Sequence, residues 1–188
     1  MNLIEKILKE AEIKNTMNFY HGGNLDIYDD SIAQKNGRYE WGAGLYLTNY
    51  YDTAKKYAKG SRKLYIVQVA AGNEINDCFL NYNNVQVFIK NYVIGNRQKE
   101  VISYMQKHIK DDKLDASIFN NIILNSKSIK ATNTKNLRNF LVTNNIDYEL
   151  VNNPFGFGKE TMMVLYNMKK IINYKIVNPK EEIIDFIK

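Results

Sequence analysis

Between residues 16 and 72 the chain changes its hydrophobic period more than once. "MNFYH" (17–21) and "GLYLT" (44–48) are short apolar-rich runs that predict two strands, the first ending at His21. In the second, a period of two sets Leu45 and Leu47 on one face and Tyr46 and Thr48 on the other. "YDTAKKYAKG" (51–60) then shifts to helical spacing. Ala54, Tyr57 and Ala58 share a face of that helix, Asp52 or Thr53 stands where a cap is wanted, and Gly60 stands where it should stop. "KLYIVQVA" (63–70) predicts a third strand. Ahead of all of these, Leu3, Ile4, Ile7, Leu8 and Ala11 predict an amphipathic helix over residues 2–14.

Residues 81–144 read differently. "VQVFIKNYVIG", "KEVISYMQKHIK", "ASIFNNIILNSK" and "TKNLRNFLVTNN" predict a mostly helical stretch. "DYEL", "TMMVLYNM" and "INYKIV" follow as three strands, and "PKEEIIDFIK" as a closing helix with Pro179 in its first turn. Strands, then helices, then strands predict an α+β protein whose mostly antiparallel β-sheet carries a helical insertion at about 81–144. Only two prolines occur, Pro154 and Pro179, and no Gly/Ser-rich linker divides the 188 residues, so a single domain over 1–188 is expected.

Composition narrows the chemistry. Hydrophobic residues make up 45% of the chain, enough for one sizeable core. Cys78 is the sole cysteine, which excludes an internal disulfide and thiolate metal cages. His21 and His108 are too few and too far apart in sequence to suggest zinc, so no metal is expected. The N-terminal "MNLIEKILKEAEIKN" has no apolar core of a signal peptide, and no run approaches a membrane span. The expected location is the cytoplasm, of the producing or of a target cell, with no membrane partner. Net charge is +6, and its placement matters. Residues 1–80 hold ten Lys/Arg and ten Asp/Glu, residues 141–188 hold six and six, and residues 81–140 hold ten against four. The excess of the middle segment is either a solvated helical face or a surface for a polyanion such as nucleic acid.

Four pieces in order carry a resemblance: "YHG", "WGAGLYLT" with "TAKKYA", "YIVQVAAG", and "GKETMMVLYNMKKIINYKIV". Together they resemble the catalytic core of the ADP-ribosyltransferases, in the His-Tyr-Glu branch that includes diphtheria toxin and the poly(ADP-ribose) polymerases. In that family a His-Gly pair ends one strand, a Gly-x-Tyr strand follows, a second tyrosine sits eleven residues later on the next helix, and a glutamate precedes a late apolar strand. Here the matching positions are His21 and Gly22, Tyr46, Tyr57 and Glu160. The resemblance spans residues 17–72 and 155–177, and the middle segment has no counterpart.

The resemblance implies an ADP-ribosyltransferase-like split sheet with NAD as substrate. It implies that His21 hydrogen-bonds the adenosine ribose and that the backbone at Gly22 reaches the nicotinamide amide. Tyr46 and Tyr57 would sandwich the nicotinamide ring between flat π faces. Thr48 would line the same pocket, and Thr53 lies near the place of a hydroxyl that bonds the nicotinamide amide. Glu160 would hydrogen-bond the nicotinamide ribose and stabilise positive charge as the glycosidic bond breaks. Taken alone, each residue has a plainer reading. His21 would be a strand-end histidine bonded to backbone, Gly22 a turn glycine, Tyr46 and Tyr57 two of fourteen tyrosines in a core, and Glu160 a loop charge.

The chain also departs from the pattern. Gly23 stands where the polymerases have a hydroxyl residue. Tyr166 follows Glu160 by six residues, where the polymerases have a tyrosine after four. Gly158 stands where arginine-modifying toxins carry Glu or Gln, which disfavours arginine as acceptor. The implied activity is mono-ADP-ribosylation of a macromolecule, protein or nucleic acid, by a bacterial or phage toxin or effector that could pair with an antitoxin. Phe155 and Phe157 either stack on a flat acceptor or tuck into the core. The alternatives are an NAD glycohydrolase, a non-enzymatic NAD or ADP-ribose binder, and a nucleic-acid-binding module built on residues 81–140.

Overall fold

The computed structural model describes residues 15–25, 42–58, 63–130, 133–154, 156, 158–177 and 186. The helix expected over 2–14, Gly60, Phe155, Phe157 and, apart from Phe186, the closing helix lie outside them. In chain order the strands are β1 (Thr16–Gly22), β2 (Leu45–Thr48), β3 (Leu64–Ala70), β4 (Phe79–Asn81), β5 (Lys113–Asp115), β6 (Tyr148–Asn152), β7 (Thr161–Leu165) and β8 (Ile171–Ile176). The helices are α1 (Tyr51–Tyr57), α2 (Tyr82–Tyr92), α3 (Gln98–Gln106), α4 (Ala116–Asn125) and α5 (Thr134–Thr143). The class is α+β. A six-stranded sheet runs in the order β6-β7-β2-β1-β3-β8. The pairs β1–β2, β1–β3, β2–β7 and β3–β8 are all antiparallel.

The described residues fall into two compact units. One holds residues 15–25, 45–72 and those from 150 on, and the other holds 42–44 and 73–149. The stretch expected as a helical insertion, 81–144, lies within the second.

In the sheet unit, strand alternation follows the sequence. In β3, Tyr65, Val67 and Val69 are buried while Ile66 and Gln68 are half-buried. Leu45 and Leu47 of β2 are at most 1% exposed, so each contributes about 1.5–3 kcal/mol of hydrophobic stabilisation. Met162–Leu165 of β7 are buried without alternation, as suits a strand covered on both faces. β7 begins directly after Glu160, and Tyr166, 1% exposed, follows its end. Tyr20 pairs with Thr48, where β2 ends, so Thr16–Phe19 of β1 run on past β2 while remaining paired with β3.

Helix α1 packs against β1. The Tyr51 ring meets Tyr20 edge-on at 5.6 Å, and Tyr20 also stacks on Phe186 at 4.7 Å. Gly22 makes the close approach possible: a Cβ there would run into the carbonyl oxygen of Ala54 and come within 2.8 Å of the Ala58 nitrogen. Two expectations for α1 are corrected. Its N-cap is Tyr50, with no side-chain cap bond, and Asp52 and Thr53 lie inside the helix. Ala54 and Ala58 are buried, but Tyr57 is 60% exposed and does not share their face in the core.

The second unit is built on helix faces at i, i+3, i+4 spacing, such as Val85, Phe88 and Ile89 of α2. The rings of Phe88, Phe119 and Phe140 meet at 4.9–5.4 Å and form its aromatic centre. Asn81 caps α2, and Asp115 caps α4 by accepting from the backbone of Ser117 and Ile118. The antiparallel pair β4–β5 went unseen, β4 at the start of the stretch read as helical and β5 within it, because each strand is only three residues long. Among the described residues no helix is long and apolar enough to cross a membrane.

Candidate functional site around Glu160

Glu160 sits one residue ahead of β7 and is only 6% exposed. Both carboxylate oxygens are engaged. The Thr48 hydroxyl donates to Oε1 at 2.7 Å and the Thr53 hydroxyl donates to Oε2 at 3.1 Å. Thr48 is the last residue of β2 and Thr53 lies in the first turn of α1, so the β2–α1 turn brings both hydroxyls to one place. The Thr48 oxygen also accepts from the Tyr50 backbone at 3.1 Å. That bond polarises the hydroxyl toward the carboxylate.

The backbone on either side of Glu160 is pinned as firmly. The Asn49 side chain bonds both flanks: its Oδ1 accepts from Thr161 N at 2.8 Å and its Nδ2 donates to Lys159 O at 3.3 Å. Asn49 N donates to Thr161 O, and Asn153 N donates to Glu160 O at 2.7 Å. The Tyr50 hydroxyl accepts from Lys159 N at 3.1 Å. Five backbone groups of residues 159–161 therefore have partners, four of them supplied by Asn49 and Tyr50. A carboxylate held this way keeps its direction without help from a ligand.

The other expected residues fall at the β1–β2 junction and along α1. His21 Nδ1 lies 3.0 Å from the Tyr46 carbonyl oxygen. Donating Nδ1–H to that oxygen leaves Nε2 of the neutral ring as an acceptor. Burial pushes the imidazole below the ordinary histidine value, and the bond to Tyr46 only partly opposes it. Gly23 has φ +151°, and a Cβ there would stand 2.9 Å from His21 Nε2. Any side chain at this position would thus press on the imidazole. Tyr46 is half-buried between the buried Leu45 and Leu47, and Tyr57 projects from the last residue of α1.

The structure thus joins Thr48, Thr53 and Glu160 directly, and joins His21 to the backbone of Tyr46. Thr53 points its hydroxyl at Glu160, a partner the sequence did not suggest. Asn49 and Tyr50 were missed outright. Their one signal was an Asn just after a predicted strand, a position where side chains bond to nearby backbone. A cavity of about 560 Å³ lies beyond the end of β2, lined by Met17, Phe19, Asn49, Asn152, Lys159 and Phe186 among others. It touches both sequence neighbours of Glu160 but none of the expected site residues.

Comparison with family models, with curated proteins and with solved structures finds no match to this chain.

Proposed function

We propose that this chain has an ADP-ribosyltransferase-like fold and is an NAD-dependent mono-ADP-ribosyltransferase, moving ADP-ribose from NAD to a macromolecular acceptor and releasing nicotinamide. The observation that carries the proposal is the Glu160 carboxylate: buried, bonded by two hydroxyls, and fixed through the backbone on both sides. Cleavage of NAD at its nicotinamide ribose develops positive charge on the sugar, as glycoside cleavage does. A carboxylate oriented in advance stabilises such charge without reorganising. Its two oxygens offer about four lone-pair sites. Thr48 and Thr53 use two of them, which leaves room for a ribose hydroxyl.

Three further features support the proposal. His21 keeps Nε2 free of its bond to Tyr46, and Gly23 sets no Cβ against that atom, so it can accept from a ribose hydroxyl. Tyr57, 60% exposed, and Tyr46, half-buried, are rings that a planar leaving group can reach. Glu160 follows a glycine two residues back rather than a Glu or Gln, which argues against arginine as acceptor. On this proposal the protein acts in the cytoplasm of a producing or target cell as a bacterial or phage toxin or effector, with an antitoxin as a natural partner.

The test uses NAD labelled on its adenylate phosphate, incubated with the protein and a cell extract. Glu160→Gln should abolish transfer of label to macromolecules while its circular dichroism stays that of the wild type. Full transfer by the folded variant would remove Glu160 from catalysis. NAD consumed without labelled macromolecules would make the protein a glycohydrolase instead.

A further inference from the structure

Half of the ten Lys/Arg of residues 81–140 line two cavities in the second unit, where Glu100, Asp111 and Asp115 also stand. Lys107 and His108 follow α3 directly, and a two-residue turn then sets Lys110 opposite Lys113, with Lys110 N donating to Lys113 O at 3.0 Å and Lys113 N to Lys110 O at 2.8 Å. The turn residues Asp111 and Asp112 have φ of 49° and 56°, the left-handed pair of a tight hairpin turn. Both features work against stability. Non-glycine residues seldom take positive φ, and like charges directly opposite one another repel. Among the described residues no carboxylate pairs with Lys107, Lys110 or Lys113.

These lysines line a cavity of about 640 Å³ together with Phe79, Ile118, Asp111 and Asp115. Asp115 Oδ1 caps α4 through bonds of 2.9 Å from Ser117 N and 3.2 Å from Ile118 N, and the helix N-terminus offsets part of its charge. Phe79 of β4 is 65% exposed. A second cavity of about 530 Å³ is lined by Tyr104, Lys127, Ile122, Asn125 and the ion pair Arg97–Glu100, 3.1 Å apart. Ile118 of the first cavity and Ile122 and Asn125 of the second follow i, i+4, i+7 spacing on α4, so both cavities border one face of that helix, here called the groove, over about 10 Å of its axis. Tyr104 of the second cavity is 48% exposed and has Nζ of Lys107, which lines the first, 5.6 Å from its ring centre.

We infer that this groove binds single-stranded nucleic acid, with phosphates on Lys107, Lys110 and Lys113 and bases stacked on Phe79 and Tyr104. Exposed rings beside unpaired cations match a ligand that repeats a flat apolar group and an anion. A paired duplex hides the base faces that the rings would take, so the strand must be single. An acidic peptide would meet the lysines and leave both rings in water. The inference stands apart from the reaction proposed above. If both hold, nucleic acid is the acceptor class.

The experiment measures fluorescence anisotropy of a labelled, mixed-sequence single-stranded DNA oligonucleotide, without NAD, over a series of salt concentrations. Omitting NAD lets the groove and the transferase proposal fail separately. The wild type should bind with strong salt dependence. Lys107→Gln/Lys110→Gln/Lys113→Gln should weaken binding by tenfold or more and reduce the slope of log K against log salt by about 2. Phe79→Ala and Tyr104→Ala should each weaken binding by about five- to 150-fold. All these side chains are exposed, so the variants should keep the wild-type circular dichroism. No binding by the wild type, or binding that survives the triple substitution, would overturn the inference. Equal competition by a duplex, with no effect of either ring substitution, would overturn the single-stranded assignment.

Discussion

Removing the Thr53 hydroxyl tests the Glu160 arrangement most directly. Thr53→Val keeps the shape of a side chain that is 8% exposed and deletes the donor 3.1 Å from Glu160 Oε2. A hydrogen bond to a charged group contributes about 1.5–3 kcal/mol. For a chain of this size that corresponds to a fall in Tm of roughly 3–12 °C. Desolvation of a carboxylate that is 6% exposed explains why the loss is not trivial. The decisive comparison repeats the substitution in a Glu160→Met background. There the hydroxyl has no carboxylate to serve, and replacing it by a methyl should cost nothing or slightly stabilise. Urea unfolding of the four proteins yields the coupling between the two positions, expected at about 1.5–3 kcal/mol. Equal cost in both backgrounds, within about 0.5 kcal/mol, would refute the claim that Thr53 holds the carboxylate. On the transferase proposal Thr53→Val should also lower kcat more than it changes KM, because Thr53 acts through Glu160.

Asn49→Ala should cost about 2 kcal/mol in urea unfolding, since Thr161 N and Lys159 O both lose a partner. An unchanged midpoint would mean that solvent replaces the carboxamide. Gly22→Ala should destabilise by about 3 kcal/mol or more, because its Cβ meets the backbone of α1, which cannot swing aside as a side chain can. A near-wild-type Tm would show that α1 does not pack so closely on β1. His21 supplies a pH test. Its folded-state pKa is lowered by burial, so as pH falls below about 6.5 the unfolded chain takes up a proton that the folded chain resists. The stability that neutral His21 provides is present above that value and is lost as pH falls through the folded-state pKa. The stability gap between wild type and His21→Asn, followed from about pH 7.5 to about pH 5, should narrow, and a constant gap would contradict the burial of the imidazole.

Much of the sheet was legible along the chain. β1, β2, β3, β7 and β8 fall within a few residues of their expected places, because a period of two and runs of β-branched and aromatic residues are local signals. The helices of the second unit were legible for the same reason, at the helical period. Tyr57 shows the limit of such signals. Spacing grouped it with Ala54 and Ala58, yet at the last residue of a seven-residue helix it reaches past the packed surface. Periodicity reports which side chains share a face, and only the tertiary structure reports what covers that face. The lysine pair at 110 and 113 was visible as charge, but a turn with two left-handed residues was needed to set the two opposite each other.

At the candidate site the division is sharper. His21, Tyr46 and Glu160 could be singled out from their order and local company. The bonds that orient Glu160 could not. Thr48 and Thr53 lie 112 and 107 residues from it in sequence. They meet it because β2 pairs with β7 in the register Thr48↔Met162, which also carries Asn49 onto the backbone at Thr161. A one-residue slip of that pairing would turn Thr48 to the opposite face from Glu160. The sequence by itself determined which elements form and which residues are chemically able to act. The partner of each hydroxyl and carboxamide was decided by strand register, which depends on the summed burial of β2 and β7 and is a property of no single segment.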